Sequence, residues 1–330
     1  MIYGFLIAFI LGLVLNLVFV PLGKRLRLFK SHIDAYEGVS KLGGVAIFAA
    51  FLSAVFLSQA RLHYAEPKLL AILGCLGLMF LLGLADDLLN LSATGKLIGQ
   101  FIIALFLFFA GVKTQIQFLP AWANVALTIL WLVAITNAFN LLDILDGLAT
   151  GIAIVSCLTF WYMANLNGNF AAGVLAASLL GANLAFFKFN FFPAKLYMGD
   201  SGSLFNGFSL AAIAIIISYA PAGREVALFA PLLILALPVY DLLFVVVMRL
   251  VGKRPITKKS KDHFALRLIT HGLSAQRVVL FMYALNCLFS LAAVFLLKSP
   301  NAIGVIVLTL AVFIWIFIAY KISRISIHES

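Results

Sequence analysis

IGVIVLTLAVFIWIFIAY, residues 303–320, runs without a single charged side chain. A helix rises about 1.5 Å per residue, so this stretch alone nearly matches the ~30 Å hydrocarbon core of a bilayer. It is one of many such stretches; Ala211–Tyr219 is likewise uncharged. Hydrophobic residues make up 64% of the 330 positions, charged residues 11%, and the mean hydropathy is +1.14. Ordinary soluble domains are about 45–50% apolar. The runs do not alternate apolar with polar, so a membrane β-barrel is excluded. The fold class that follows is all-α: a polytopic integral membrane helical bundle.

Apolar runs between charged or turn-rich breaks predict about 11 spans. They lie near 2–22, 42–60, 67–85, 97–112, 122–139, 147–165, 171–187, 204–220, 226–248, 279–297 and 302–320. The first, Ile2–Val20, is too long for a cleaved signal peptide and reads as a retained span. Short connections predict a single membrane-embedded domain, 1–330, whose one long connection is the basic loop 249–278. Alternate connections divide the Lys and Arg residues 18 to 5. The positive-inside rule then puts the N-terminus outside and the C-terminus in the cytoplasm. The net charge of +11 has the same origin, and nucleic acid is not an expected partner. Three cysteines, Cys75, Cys157 and Cys287, make neither a metal spacing nor a disulfide framework.

Only 12 acids occur, and most fall in or beside the predicted inner connections. Several stand among apolar neighbours, where a charge without a partner is costly and points to function. Asp86 and Asp87 end the third span. Adjacent carboxylates repel unless a cation stands near them, so a divalent metal or a proton transfer is expected there. In Asn137-Ala-Phe-Asn140-Leu-Leu-Asp143-Ile-Leu-Asp146-Gly147 polar residues recur every third position. On a continuous helix, Asn140, Asp143 and Asp146 would fan over about 120° of one face. Asp146-Gly147 marks a turn. An Asn-x-x-Asn pair alone would mean interhelical hydrogen bonding.

The third cluster runs from Asn190 through Pro193, Lys195, Gly199, Asp200, Ser201, Gly202 and Ser203. Small residues around one acid suit close approach of a phosphate, and Ser201 or Ser203 is a candidate cap for the eighth span. Asp200 suits Mg²⁺, a hard ion that takes oxygen ligands. In the basic loop, His263 and Arg267 are four residues apart and would share a helix face able to grip a phosphate. Carboxylates with Lys, His and Arg nearby form a kit for phosphoryl transfer.

Four segments in order resemble the polyprenyl-phosphate N-acetylhexosamine-1-phosphate transferase family: GLADDLLNLSATGKL, NAFNLLDILDGLATG, FNFFPAKLYMGDSGSLFNGF, and DHFALRL followed by HGLS. Lys41-Leu-Gly43-Gly44 and Pro238-Val-Tyr-Asp241 also look like family features. The resemblance implies transfer of a sugar-1-phosphate from a UDP-sugar to undecaprenyl (polyprenyl) phosphate, releasing UMP, with N-acetylglucosamine as the expected sugar. It implies Mg²⁺, or Mn²⁺, with Asp200 as main metal ligand and a metal role for Asp87 left open. Asp86 and Asp87 would deprotonate or orient the lipid phosphate, and His263 joins them as a catalytic candidate. Lys41, Lys96, Asn140, Asp143, Asp146, Asn190 and Arg267 are the expected substrate-binding residues. The implied place is the bacterial cytoplasmic membrane, multi-pass, with the site on the inner face and a homodimer as the family expectation.

One departure concerns the basic loop, where Ala265 and Leu266 stand in place of two histidines that relatives often carry. Asn90-Leu-Ser-Ala and the span count favour the N-acetylglucosamine branch over its alternative, phospho-N-acetylmuramoyl-pentapeptide transferase. A secondary transporter is the rival of another class. It would place its acids near the bilayer midplane, often in repeated halves.

Overall fold

The computed structural model describes residues 1–25, 39–62, 67–217, 224–253 and 262–324. Asp34, Glu37, Glu66 and Glu329, and the loop residues Lys258, Lys259 and Lys261, lie outside the described residues. Among the described residues there is no strand, only one isolated parallel bridge between Ser40 and Leu196. The chain forms two compact units, Met1–Ile217 and Ser218–Ser330.

Among the described residues, eight helices are long and apolar enough to cross a membrane, or nine if one bent pair is a single span. The chain is a multi-pass membrane protein. In the first unit these are α1 (Ile2–Arg25), α2 (Gly43–Leu62), α3 (Pro67–Leu89), α5 (Ala121–Leu142), α6 (Leu148–Leu166) and α7 (Phe170–Asn190). Two shorter elements occupy the remaining expected spans of that unit, α4 (Ala93–Phe109) and α8 (Gly199–Ile216). The 11 expected spans thus all fall on helical elements, but eight to nine meet the length and hydropathy of a crossing helix. Large apolar side chains such as Phe109, Trp122 and Leu130 stay exposed, as a lipid-facing surface requires.

Packing in the first unit depends on small residues, because apolar burial drives no association between helices already in lipid. The buried residues of α1 are Gly4, Ala8, Gly12, Asn16 and Gly23, the first four at intervals of four. That stripe lies on α7, where a Cβ on Gly12 would stand 2.8 Å from the Cβ of Ala185. At Gly181 an added Cβ would collide with the backbone oxygen of Phe5. α7 is the most buried of the crossing helices, with α1, α2, α6 and α8 against it.

The second unit holds α9 (Ala230–Ile234), α10 (Ala236–Val251), α11 (Phe264–Thr270), α12 (Ala275–Leu296) and α13 (Asn301–Ser323). A short 3₁₀ turn, Glu225–Phe229, precedes α9, and the chain bends by 74° between this pair and α10. Pro238 explains the break. It has no N–H for the carbonyl four residues back at Ile234, and its ring crowds that carbonyl. Aromatic stacking fills the core: Trp315 lies on Tyr240 at 4.0 Å and on Phe289 at 4.7 Å between ring centroids.

Gly181→Ala should lower the thermal unfolding midpoint in detergent, an overpacking loss of about 1–3 kcal/mol. Gly74→Ala, where a Cβ meets nothing within 4 Å, should hold or raise it through better helix propensity, by up to about 1 kcal/mol. Equal effects at the two positions would contradict the close α1–α7 contact.

Candidate functional site

The site of the first unit is built around the start of α8. A helix begins with N–H groups that have no intrahelical partner. The N-cap residue here is Met198, whose side chain makes no capping hydrogen bond. Asp87, from the last turn of α3, does so instead: its Oδ1 accepts from Asp200 N–H at 3.0 Å and its Oδ2 from Ser201 N–H at 2.9 Å. These are the N2 and N3 donors that an N-cap side chain normally satisfies. The expected serine cap is therefore replaced by an acid from another helix. A carboxylate is also favoured there by the helix dipole.

Close approach makes this cap possible. Gly199 has φ +67, the left-handed region, and a Cβ there would sit 2.6 Å from Asp87 Oδ2. At Gly83 an added Cβ would strike the backbone oxygen of Asp200. The strand-like pairing of Tyr197 N–H to Ser40 O, 2.8 Å, and of Gly43 N–H to Tyr197 O, 3.0 Å, ties the start of α2 to the same place. Lys41 is thereby set with its Nζ 3.2 Å from Asp87 Oδ1.

Asp86 faces a different cation. Its Oδ1 accepts from Leu91 N–H at 2.8 Å and its Oδ2 from Lys96 Nζ at 2.7 Å. Asn90, at φ 51, turns the chain, and Ser92 caps α4 by accepting from Gly95 N–H. This tight connection returns Lys96 over the end of α3. The same Nζ lies 2.9 Å from Asp200 Oδ2, so one ammonium bridges two carboxylates. The repulsion expected between Asp86 and Asp87 is relieved by two separate lysines.

Asn140, in the last turn of α5, donates from Nδ2 to Asp200 Oδ1 at 3.0 Å and to Ser203 Oγ at 2.9 Å. Its neighbour Asn137 donates to Gln100 of α4, the ordinary interhelical role of an amide pair. The Asn-x-x-Asn spacing thus serves two ends. α5 stops at Leu142, so the predicted fan of Asn140, Asp143 and Asp146 on one helix does not form. Asp143 follows as the C-cap, Asp146 lies in the turn, and Gly147 takes the left-handed φ of 76 before α6.

Asp146 Oδ2 accepts from Ala194 N–H at 2.9 Å, joining this turn to the segment before α8. Asn190 is buried. Its Oδ1 accepts from Thr150 Oγ1 at 2.7 Å and Gly147 N–H at 3.2 Å, and its Nδ2 donates to Leu196 O at 3.0 Å. Asn190 is a brace under the site. Gln100, Thr150 and the hydroxyl of Ser203 were not marked as partners from sequence. Thr150 and Gln100 carry no local signal, since only the fold places them opposite an asparagine.

Charge is unbalanced in this cluster. Among the described residues, five carboxylates, Asp86, Asp87, Asp143, Asp146 and Asp200, gather around Lys41 and Lys96. Burial pushes the Asp143 carboxyl up to about 7; Asp200, Asp87 and Asp146 add to the push, and Lys41 opposes it. Burial also raises Asp146, opposed by the N–H of Ala194. Among the described residues no three acidic, His or Cys groups form a ready-made metal cage. The donor set still fits Mg²⁺, which is commonly held by one or two carboxylates with substrate phosphates. The Asp200 side chain is 29% exposed, whereas Asp87 is 1% exposed with both oxygens engaged.

His263 and Arg267 belong to the second unit. The expected shared, phosphate-gripping face gives way to another arrangement. His263 is the N-cap of α11, and its Nδ1 lies 2.8 Å from Asp241 Oδ2. Arg267 is buried: its Nη2 donates to Asp262 Oδ1 at 2.9 Å, its Nη1 to Ser323 O at 3.3 Å, and its guanidinium stands over the Phe244 ring. A buried cation needs such partners, and the carbonyls at the end of α13 are favourable ones.

Asp143 predicts a pH dependence. Its native pKa near 7 stands above the ordinary 3.8, so the folded chain holds a proton that the unfolded chain releases. The stability this group contributes is full below pH 4 and is lost as pH rises to about 7. In EDTA-treated protein, Asp143→Asn should flatten that part of the unfolding midpoint against pH. An unchanged slope between pH 4 and 7 would contradict the assignment.

The description "Glycosyl transferase family 4" matches residues 69–218, which include Asp86 to Asp200 but not Lys41 or His263. The chain is 33% identical over 313 residues to a Bacillus subtilis protein named probable undecaprenyl-phosphate N-acetylglucosaminyl 1-phosphate transferase, covering 89% of this chain and 85% of that one. It is 31% identical to the phospho-N-acetylmuramoyl-pentapeptide-transferase of Halalkalibacterium halodurans, over 88% and 95% of the two chains. It is 32% identical to the decaprenyl-phosphate N-acetylglucosaminephosphotransferase of Mycobacterium tuberculosis, over 74% and 68%. Similarity of this extent shows that the chain belongs to glycosyl transferase family 4, the polyprenyl-phosphate N-acetylhexosamine-1-phosphate transferases.

Proposed function

We propose that the protein transfers N-acetylglucosamine-1-phosphate from UDP-N-acetylglucosamine to undecaprenyl phosphate, releasing UMP and starting a lipid-linked envelope glycan. The observation that carries this reading is the Lys96 ammonium held between Asp86 and Asp200 at the start of α8. Phosphoryl transfer asks mainly for positioning and charge neutralisation, and this arrangement offers both. The names of the Bacillus subtilis and Mycobacterium tuberculosis relatives support the sugar.

The reaction needs two anionic substrates in contact. An oxygen of the lipid phosphate attacks the β-phosphorus of the UDP-sugar. The bond from that phosphorus to the bridging oxygen breaks, and UMP leaves with the electron pair. Lys96 and Lys41 lower the repulsion between the phosphates. Lys96 also sets the Asp86 carboxylate, which orients the lipid phosphate or takes its proton. Asn140 fixes the rotamer of Asp200 through Oδ1. Mg²⁺, or Mn²⁺, bound at Asp200 with the diphosphate would supply further charge stabilisation. Asp87 acts through the cap on α8 and is not needed as a ligand.

Direct attack is favoured over a covalent aspartyl intermediate, since both substrates already carry phosphate. The site belongs on the cytoplasmic face of the bacterial inner membrane, the side to which the expected alternation of 11 spans assigns 18 of the 23 basic residues. The pentapeptide reaction is the second reading, supported by the Halalkalibacterium halodurans relative.

Purified protein with undecaprenyl phosphate and Mg²⁺ should release UMP from UDP-N-acetylglucosamine and not from UDP-N-acetylmuramoyl-pentapeptide. The reverse preference would favour the second reading, and no release from any UDP-sugar by folded protein would remove both. Asp200→Asn should reduce turnover at least about a hundredfold, and EDTA should abolish it. An isolable sugar-phosphate adduct on the protein without lipid would contradict direct attack.

A further inference from the structure

In the second unit, Asp241 of α10 is 1% exposed and makes two contacts. Its Oδ1 accepts from Phe264 N–H at 2.8 Å, the first N–H of α11. Its Oδ2 lies 2.8 Å from Nδ1 of His263. The other imidazole nitrogen, Nε2, makes no hydrogen bond among the described residues and is not a sealed, unsatisfied atom. Among the described residues of the unit, Asp262, paired with Arg267, and Arg249 are the other buried charged residues.

We propose that Asp241 is a positioning residue that holds the His263 ring with a proton on Nδ1, so that the ring in its neutral form carries its lone pair on Nε2. The argument is one of donor and acceptor count. A carboxylate can only accept, so Nδ1 must donate to it. The remaining nitrogen of a neutral ring then carries the lone pair and serves as an acceptor for an O–H or N–H of a substrate. The backbone contact makes the arrangement directional. Phe264 N–H can only donate, so an oxygen must stay at the Oδ1 place. An amide at position 241 keeps its single oxygen there and turns its NH₂ toward Nδ1. The ring is then driven to the opposite tautomer, with the proton on Nε2. The start of α11 keeps its hydrogen bond throughout, so the substitution changes the ring's proton more than the fold. The part of this inference that concerns turnover rests on the transferase reading above.

The test uses full-length protein labelled with ¹⁵N-histidine, with His263→Gln to assign the ring signals. Wild type should show a protonated Nδ1 and a bare Nε2, and Asp241→Asn the reverse. In the same preparations, Asp241→Asn should lower kcat at least about tenfold with KM for the UDP-sugar nearly unchanged. Asp241→Glu, which restores two acceptor oxygens, should return both the tautomer and part of kcat. A wild-type ring that is doubly protonated or protonated on Nε2 would overturn the assignment. So would turnover lost in Asp241→Asn without a change of tautomer, which is the mark of a purely structural contact. A switched tautomer with full kcat would remove the link to catalysis. If wild-type protein turned over no UDP-sugar, the transferase reading would fail, while the ring spectrum would still decide the tautomer.

Discussion

The interaction on which the first unit depends is the Asp87 carboxylate lying across the opening N–H groups of α8. A helix that starts inside a membrane protein cannot leave those donors to water. By meeting them from α3, Asp87 joins two helices distant in sequence and fixes where Asp200 stands. Everything else in the site is set from that point. Lys41 is brought to Asp87 by the pairing of Ser40 with Tyr197, Lys96 to Asp200 by the turn after α3, and Asn140 to Asp200 by the end of α5. Gly83 and Gly199 are small because backbone and carboxylate come this close.

The second unit repeats the device with another acid. Asp241 takes the first N–H of α11 and, with its other oxygen, a side chain of the same segment. In both places a buried carboxylate does two jobs, satisfying a helix start and orienting a polar group. Burying the carboxylates has a cost, visible in the raised Asp143 and Asp146. Among the described residues of the cluster the carboxylates outnumber the lysines paired with them, an electrostatic reason to bind a cation together with phosphate-bearing substrates.

Much of this was legible in the sequence. Hydropathy alone placed the helices, since a bilayer demands long uncharged runs. The isolation of acids among leucines and phenylalanines marked Asp86, Asp87, Asp143, Asp146 and Asp200, the three-residue spacing marked Asn140, and the structure puts them in one cluster. The limits were physical. Three-residue spacing read as a helix face because nothing local showed that α5 stops at Leu142. Ser201 and Ser203 read as caps because local serines usually are; a cap from 113 residues away has no local signature. Asp241 was visible only as the end of Pro238-Val-Tyr-Asp241, a segment that resembles the family. Its tie to His263 arises when α10 and α11 pack, a matter of tertiary contact. Arg267 likewise looked like a free phosphate ligand until its own unit supplied Asp262 and the end of α13.

The cap is open to direct measurement by hydrogen exchange of a peptide spanning residues 199–205. If Asp87 holds the start of α8, the amides of Asp200 and Ser201 are protected in wild type. They exchange much faster in Asp87→Ala, while the later turns of α8 keep their protection. Fast exchange at both amides in wild type, or protection unaltered by the loss of Asp87, would contradict the account.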